Sequence, residues 1–459
     1  MEKFDVIVVG AGTGGCMAAK ATAKAGLKVC LIDRKRKEDI GDKVCGDAIG
    51  SHHFDSLGLD YPTGDELEHK IVGAKIYSPD GRVVFHVEME DFHGFIVNRR
   101  LFGQRLLKDA VDAGSTLLDS VQVTEPVIKN GFVTGVSARD LKSGGKIELY
   151  GEVVVDASGY SAVLRRKLPL EMGVDVEIDE EDVVICYREI RGLKEELTEP
   201  DFGELYVSRT IAPGGYAWVF PESHKKVNVG LGVAMVEGFP NPKKLLYDHI
   251  LSRPQFEGST LVTGGGGHDP SRRSLDCMTG NGMLIVGDAA CQVNPIHGGG
   301  MGPSMIGGTL AAKAIIRALE EGSVSREELW SYNVEYMRSY GAKQAGLDVF
   351  RMFLQGLSDE DLNYGMKYRL ITEEDVLKAS MVGEVRVNIT EATRRVFRAL
   401  RKLGFLKRLR DAAKLIKEAK ALYQQYPASA EGFEEWKGNA QDLIRKAELK
   451  FKKSPGMDD

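Results

Sequence analysis

The chain has 459 residues, too many for one compact core, so two or three domains are expected. Hydrophobic residues make up 43% of it, enough for a sizeable core, yet no run of about twenty apolar residues is present to cross a bilayer. A net charge of -6 gives no reason to expect nucleic acid, and the six scattered cysteines, with no C-x-x-C pair, argue against a zinc or iron–sulfur site and suit a reducing cytoplasm.

The first stretch is the most informative. Phe4 to Val9 is apolar and β-branched and reads as a buried parallel strand. It belongs to a nucleotide fold, so no secretory leader is expected. It runs into Gly10, Gly12, Gly14 and Gly15, which contain the Gly-x-Gly-x-x-Gly spacing. An Ala-rich helix over Cys16 to Ala25 follows, then a second strand, Lys28 to Ile32, ending at Asp33. Gly10 permits the tight turn, Gly12 admits a pyrophosphate to the backbone, and Gly15 lets helix and strand pack closely. Free N–H groups at the helix start face phosphate, and Asp33 can accept from a ribose.

Arg34 to Lys37 reads as a solvated basic loop or as help in holding phosphate, and Ile40 to Gly50 as a glycine-bounded loop of the kind that carries function. Within it Cys45 is either an exposed reactive thiol or a small buried apolar residue. Alternation from Ile71 to Val87, with a turn at Ser78-Pro79-Asp80-Gly81, predicts a hairpin that leaves the nucleotide domain for a second sheet. Phe95 to Arg99 leads into a helix over Arg100 to Ala113. A further hairpin joins Val133–Ala138 to Lys146–Tyr150, and Val153 to Gly159 resumes the first domain.

Residues 180 to 265 read mainly as strands of one antiparallel sheet with a protected face. Tyr216, Trp218 and Phe220 alternate, so a strand places all three on one face, as sheet core or as the wall of a large apolar site. Gly282 to Ala290 is again a strand, ending in Gly287-Asp288. The loop Asn294-Pro295-Ile296-His297-Gly298-Gly299-Gly300 then opens an Ala-rich helix over Ser304 to Glu320. From Arg326 the chain is helical. Glu391 to Tyr423 pairs an apolar stripe (Val396, Leu400, Leu403, Leu406, Leu409, Ala413, Ile416, Ala419) with many Arg and Lys. It suits either an anionic membrane surface or a solvated face packed on the body.

The N-terminal fingerprint, Asp156-Ala157-Ser158-Gly159 and Gly287-Asp288 are three pieces of one fold. With them the chain resembles the FAD-containing aromatic-hydroxylase-like flavoproteins. Within these it is similar to the geranylgeranyl reductase family, in particular the archaeal digeranylgeranylglycerophospholipid reductases, over roughly residues 1 to 425. The most specific element is Tyr216-x-Trp218-x-Phe220-Pro221 followed by Gly230-x-Gly232. Cys45-Gly46-Asp47 and Asn294-Pro295-x-His297-Gly298-Gly299-Gly300 also match.

The resemblance implies an α/β fold. A Rossmann-type FAD-binding domain would take 1–70, 95–165 and 270–325, an antiparallel-sheet substrate domain 71–94 and 166–269, and a helical region 326–459. It implies FAD as cofactor and no metal. Gly10, Gly12, Gly14 and Gly15 would wrap the pyrophosphate, Asp33 the ribose, and Val123 the adenine side. Cys45, Gly46, Ala48, Arg99, Gly300 and Met301 would reach the flavin, and Asp288 the ribityl and phosphate region. The implied reaction is saturation of isoprenoid C=C bonds on a geranylgeranyl lipid, with Cys45, His297 and Tyr216 as candidate proton donors. Tyr216, Trp218 and Phe220 would line the lipid site. The electron donor stays open between ferredoxin, a deazaflavin and NAD(P)H. The expected place is cytoplasmic, at the membrane surface. The rival readings are a flavin monooxygenase and a flavoprotein that only binds lipid.

Overall fold

The N-terminal apolar run is buried on both faces, as a central parallel strand must be. Strand Lys3–Val9 pairs in parallel with Val29–Ile32 on one side and Lys146–Asp156 on the other. This is seen in a computed structural model that describes residues 3–88, 93–175, 177–236, 238–375 and 403–451. The sheet continues through Met283–Ile285 to Thr279–Gly280 at one edge and to Thr116–Leu118 at the other. Phe132–Asp140 and Val121–Lys129 add an antiparallel hairpin to Lys146–Asp156. Helices Thr13–Lys24 and Met301–Glu320 pack against each other through glycine. A Cβ on Gly308 would lie 2.1 Å from the Gly14 carbonyl oxygen.

A second, seven-stranded sheet is ordered Thr260–Asp269, Val184–Gly192, Lys226–Ala234, Ala217–Ser223, Phe202–Tyr206, Gly73–Tyr77, Val84–Glu88. The hairpin from residues 73 to 88 is therefore part of it. One pairing departs from the antiparallel expectation: Phe202–Tyr206 lies parallel to Gly73–Tyr77. Alternation reports which side chains are buried and carries nothing about strand direction. One face of this sheet packs Val219, Val229, Leu231 and Val233 against Leu246, Ile250 and Phe256. The other face is turned to the site described below.

A small third sheet, Ala48–Gly50, Gly94–Val97 and Leu67–Ile71, was not legible in the sequence. It holds the loop that carries Cys45. The C-terminal region is helical. In Leu403–Gln424 the buried residues are Phe405, Leu409, Ala412, Leu415, Ile416, Ala419 and Tyr423, and the helix packs on Ala342–Gln355. Of the expected stripe, Leu409, Ile416 and Ala419 are buried against the body, and Leu406 and Ala413 are half-buried. Lys407, Arg410, Lys414 and Lys417 remain exposed. Val396, Leu400 and the basic residues from Arg394 to Lys402 lie outside the described residues. Among the described residues no helix is long and apolar enough to cross a membrane.

Candidate active site

The glycine turn is built from backbone contacts. Gly10 has φ +107°, and a Cβ there would stand 2.3 Å from the Ala157 carbonyl oxygen. A Cβ on Gly15 would meet the Gly10 oxygen at 1.9 Å, and one on Gly14 the Ser304 oxygen at 2.9 Å. Gly12 has nothing within 4 Å, because it faces an open cavity of about 390 Å³. The first-turn amides of helix Thr13–Lys24 have no partner in their own helix and open onto the same space. Asp33 caps the second strand and ties the turn together. Its Oδ2 accepts from the Ala11 N–H and its Oδ1 from the Lys35 N–H, each at 2.8 Å. Val123 lies on the same cavity wall.

A second cavity of about 400 Å³ adjoins the first, and Thr13, Lys43, Arg99, His268, Asp288 and Ser304 line both. Arg99 begins helix Arg99–Asp112, capped by Asn98, whose Oδ1 accepts from the Leu101 N–H at 3.1 Å. The guanidinium is buried, and its Nε and Nη1 have no hydrogen-bond partner among the described residues. An unmet buried donor costs about 1–3 kcal/mol, more when charged, so this waist is built for an acceptor-rich molecule that spans both cavities. Opposite stands Asp288, its Oδ2 2.6 Å from Lys43 Nζ.

In the second cavity the rings of Tyr216, Trp218 and Phe220 share one wall. Tyr216 sits just before its strand begins at Ala217, yet keeps the alternation. The loop carrying Cys45, Gly46 and Ala48 lies across these rings. A Cβ on Gly46 would come 3.1 Å from Phe220. Asn228 clips loop to wall: its Oδ1 accepts from Trp218 Nε1 at 2.9 Å, and its Nδ2 donates to the Cys45 carbonyl at 2.9 Å and to Asp47 Oδ2 at 2.7 Å. Cys45 is half-buried. Burial, then the Asp47 charge, pushes its thiol up, so it stays protonated rather than becoming a nucleophile.

Facing it, the helix Met301–Glu320 starts with Gly300 as cap and Met301 buried, and both line the cavity. His297 is pushed down to about 4 by burial first and then by Lys343, so its ring is neutral at pH 7. Its Nδ1 accepts from the Gly299 N–H at 3.1 Å, and its carbonyl accepts from the Tyr216 hydroxyl at 2.7 Å. Every residue proposed from the sequence therefore lines one of the two connected cavities.

Sequence reasoning missed several others. Asp47 is buried with φ +61°, its Oδ1 unpartnered, and desolvation lifts it to about 7 against the pull of Arg188 and Arg99. Asp269 is pushed up to about 8 by burial and by Asp288. Lys343 is pushed down to about 8 by burial and by Lys420, and it lines the second cavity together with His52 and His53. One signal was available for Asp269. Gly264 to Gly267 sit inside a strand, which marks a close approach, and a Cβ on Gly265 would come 2.8 Å from Val44 of the cysteine loop.

Comparisons with known proteins bear on this geometry. Residues 182–268, which carry the aromatic wall and Asn228, match the geranylgeranyl reductase catalytic domain, and residues 5–60 match glucose inhibited division protein A. The chain is 40% identical over 444 residues to the digeranylgeranylglycerophospholipid reductase of Sulfolobus acidocaldarius, covering 96% of this chain and 97% of that one. The chain belongs to the digeranylgeranylglycerophospholipid reductases. The Methanothrix thermoacetophila reductase is 33% identical over 84% of this chain and 96% of its own.

A geranylgeranyl bacteriochlorophyll reductase-like structure from Thermoplasma acidophilum superposes with a TM-score of 0.75 at 25% identity, covering 86% of this chain and all of that one. The flavin-dependent brominase Bmp2, at TM-score 0.63, 19% identity and 83% and 94% coverage, shares the fold alone. This reductase is a flavin-dependent oxidoreductase with FAD as cofactor. The glycine cradle at Gly12 and the unpaired donors of Arg99 fit that molecule.

Proposed function

We propose that this reductase saturates the C=C bonds of geranylgeranyl chains in membrane lipid precursors. The observation that carries the reading is the join between the cradle and the aromatic wall at Arg99 and Asp288. A cofactor held in the first cavity would present its reactive end to an apolar chain in the second. Bound FAD, once reduced, supplies a hydride. An isolated alkene accepts hydride poorly, so the protein must give a proton to the other carbon and keep water out.

Cys45 is the donor best supported. Its thiol is held protonated on the loop pressed to the aromatic rings. The Tyr216 hydroxyl donates to the His297 carbonyl, and burial keeps the neutral His297 ring from charging, so each holds a less available proton. Tyr216, Trp218 and Phe220 orient the chain. Lys343, lining the second cavity together with His52 and His53, suits an acidic head group. Gly10, Gly12, Gly14, Gly15 and Asp33 would hold the adenosine diphosphate part, with Val123 near the adenine. Gly46, Ala48, Arg99, Asp288, Gly300 and Met301 would surround the flavin end. The domain division expected from the sequence is retained in this reading.

The substrate would stay in the bilayer, since each CH₂ taken into water costs about 0.8 kcal/mol. The reductase would therefore work at the cytoplasmic membrane surface, drawing electrons from a ferredoxin, a deazaflavin or NAD(P)H. One assay tests the reading: anaerobic incubation with dithionite and a geranylgeranyl lipid, followed by mass spectrometry. Successive gains of two hydrogens are expected. A gain of oxygen only in air would instead make it a hydroxylase, and an unchanged mass a lipid carrier.

A further inference from the structure

Beneath the cysteine loop runs a strip of ionisable side chains. It starts near the surface, where Lys226 Nζ sits 3.1 Å from Glu68 and 2.9 Å from Glu222. Glu222 falls where the pairing between Ala217–Ser223 and Lys226–Ala234 slips by one residue. A bulge of this kind re-aims a side chain, and here the carboxyl is nearly fully buried. Next inward is Arg188, whose Nη2 stands 3.8 Å from Asp47 Oδ2. Asp47 presents a buried Oδ1 with no partner among the described residues, and its backbone N–H lies against the Cys45 thiol.

We propose that Glu222 and Asp47 form a proton relay that reloads Cys45 from solvent after each double bond is reduced. The inference rests on the reading of Cys45 as proton donor. Each saturation consumes one proton, and a chain with several double bonds outlasts the single proton of one thiol. A lipid in the cavity blocks water from that side, while the strip reaches Cys45 from beneath.

The balance is simple. The Cys45 S–H breaks as a C–H forms, and the Asp47 O–H breaks as the S–H is remade. Asp47 is refilled from Glu222, and Glu222 from water beside Lys226. The electrons come from the reduced FAD throughout. The direction is downhill, since the thiol lies above its ordinary value and Asp47 is near 7. The groups facing Asp47 are Arg188, Arg99, Glu222 and Asn228. The two arginines offset part of the burial that lifts it.

The test uses holoenzyme in molar excess over a digeranylgeranyl glycerophospholipid in detergent, with excess dithionite under nitrogen, and products are read by mass at timed intervals from pH 5.5 to 9. In the wild type the overall rate should fall as pH rises through about 7, because Asp47 loses its acid form. Glu222→Gln should reduce the first double bond normally and each later one at least tenfold more slowly, and Asp47→Asn should lose the pH limb. FAD absorbance and reduction by dithionite should stay unchanged. A purely structural strip would slow all bonds alike, and that result overturns the relay. So does a wild-type rate that is flat from pH 6 to 9, a measurement that needs no variant. If Cys45→Ser loses activity while both relay variants match the wild type, the relay alone fails. If Cys45→Ser keeps full activity, the donor reading fails and the relay with it.

Discussion

The two cavities that meet at Arg99 are built in different ways. The nucleotide side is made of backbone: glycines at close approach, helix amides, and one carboxylate, Asp33, that braces the turn. Its largest single contribution comes from one stretch, Val9 to Lys35, and the rest from the turn after Asp156, from Asp288 and from the hairpin. The aromatic side is made of side chains from distant segments: Cys45, Tyr216, His297 and Lys343 line it. In the backbone site, Gly10, Gly14 and Gly15 leave no room for an added atom. A side-chain site tolerates exchange but depends on its clips.

That contrast can be broken first where it is sharpest. Gly10→Val places a β-branched residue at φ +107° and 2.3 Å from the Ala157 oxygen. Strain of about 1–3 kcal/mol plus the clash should leave protein with no bound FAD and a much lower melting temperature, read by absorbance at the flavin band and by calorimetry. On the aromatic side, Cys45→Ser should keep the yellow cofactor and lose about 10²-fold or more in alkene reduction by pre-reduced enzyme. A colourless Cys45→Ser protein would mean that the loop is structural after all.

At the waist, Arg99→Ala removes the charged donor set proposed to serve the cofactor. FAD affinity should drop by about 1.5–3 kcal/mol, measured by titration of apoprotein.

A smaller effect comes from a histidine of the second cavity. His53 is pushed down to about 2, chiefly by burial. Below about 6.5 the unfolded chain takes up this proton and the folded chain does not, so stability is full above that pH and is lost as pH falls. Unfolding free energy should decline from pH 6.5 toward 5 by up to about 1.4 kcal/mol per pH unit for this group, and His53→Gln should flatten the curve by that amount. Denaturant titrations at both pH values decide it.

The smallest effect per residue is at the surface. Neutralising Lys407, Arg410, Lys414 and Lys417 should weaken binding to anionic liposomes by about 1 kcal/mol each, and salt should do the same. Salt-independent binding would point to another face, because Leu409, Ile416 and Ala419 of that helix are already buried against the body.

The first three elements and the glycine turn could be read in order, since strand, turn and helix are local and their periods differ. The hairpin ending near Val87 and the aromatic wall could also be read, because alternation reports faces. The parallel pairing of Phe202–Tyr206 with Gly73–Tyr77 could not, nor could the small sheet under the cysteine loop. Their partners lie far apart in the chain and carry no local mark.

By its own local order this sequence determined a dinucleotide cradle, an aromatic face and a basic helix. Which residues meet Cys45 was decided only by the tertiary structure. Asn228, Asp47 and Arg188 come from three separate segments, and their hydrogen bonds exist only once the sheet has closed beneath the loop. The same closure buries Asp47 and moves its affinity for a proton. Desolvation depends on what surrounds a group in space, and no spacing of residues along a chain encodes it.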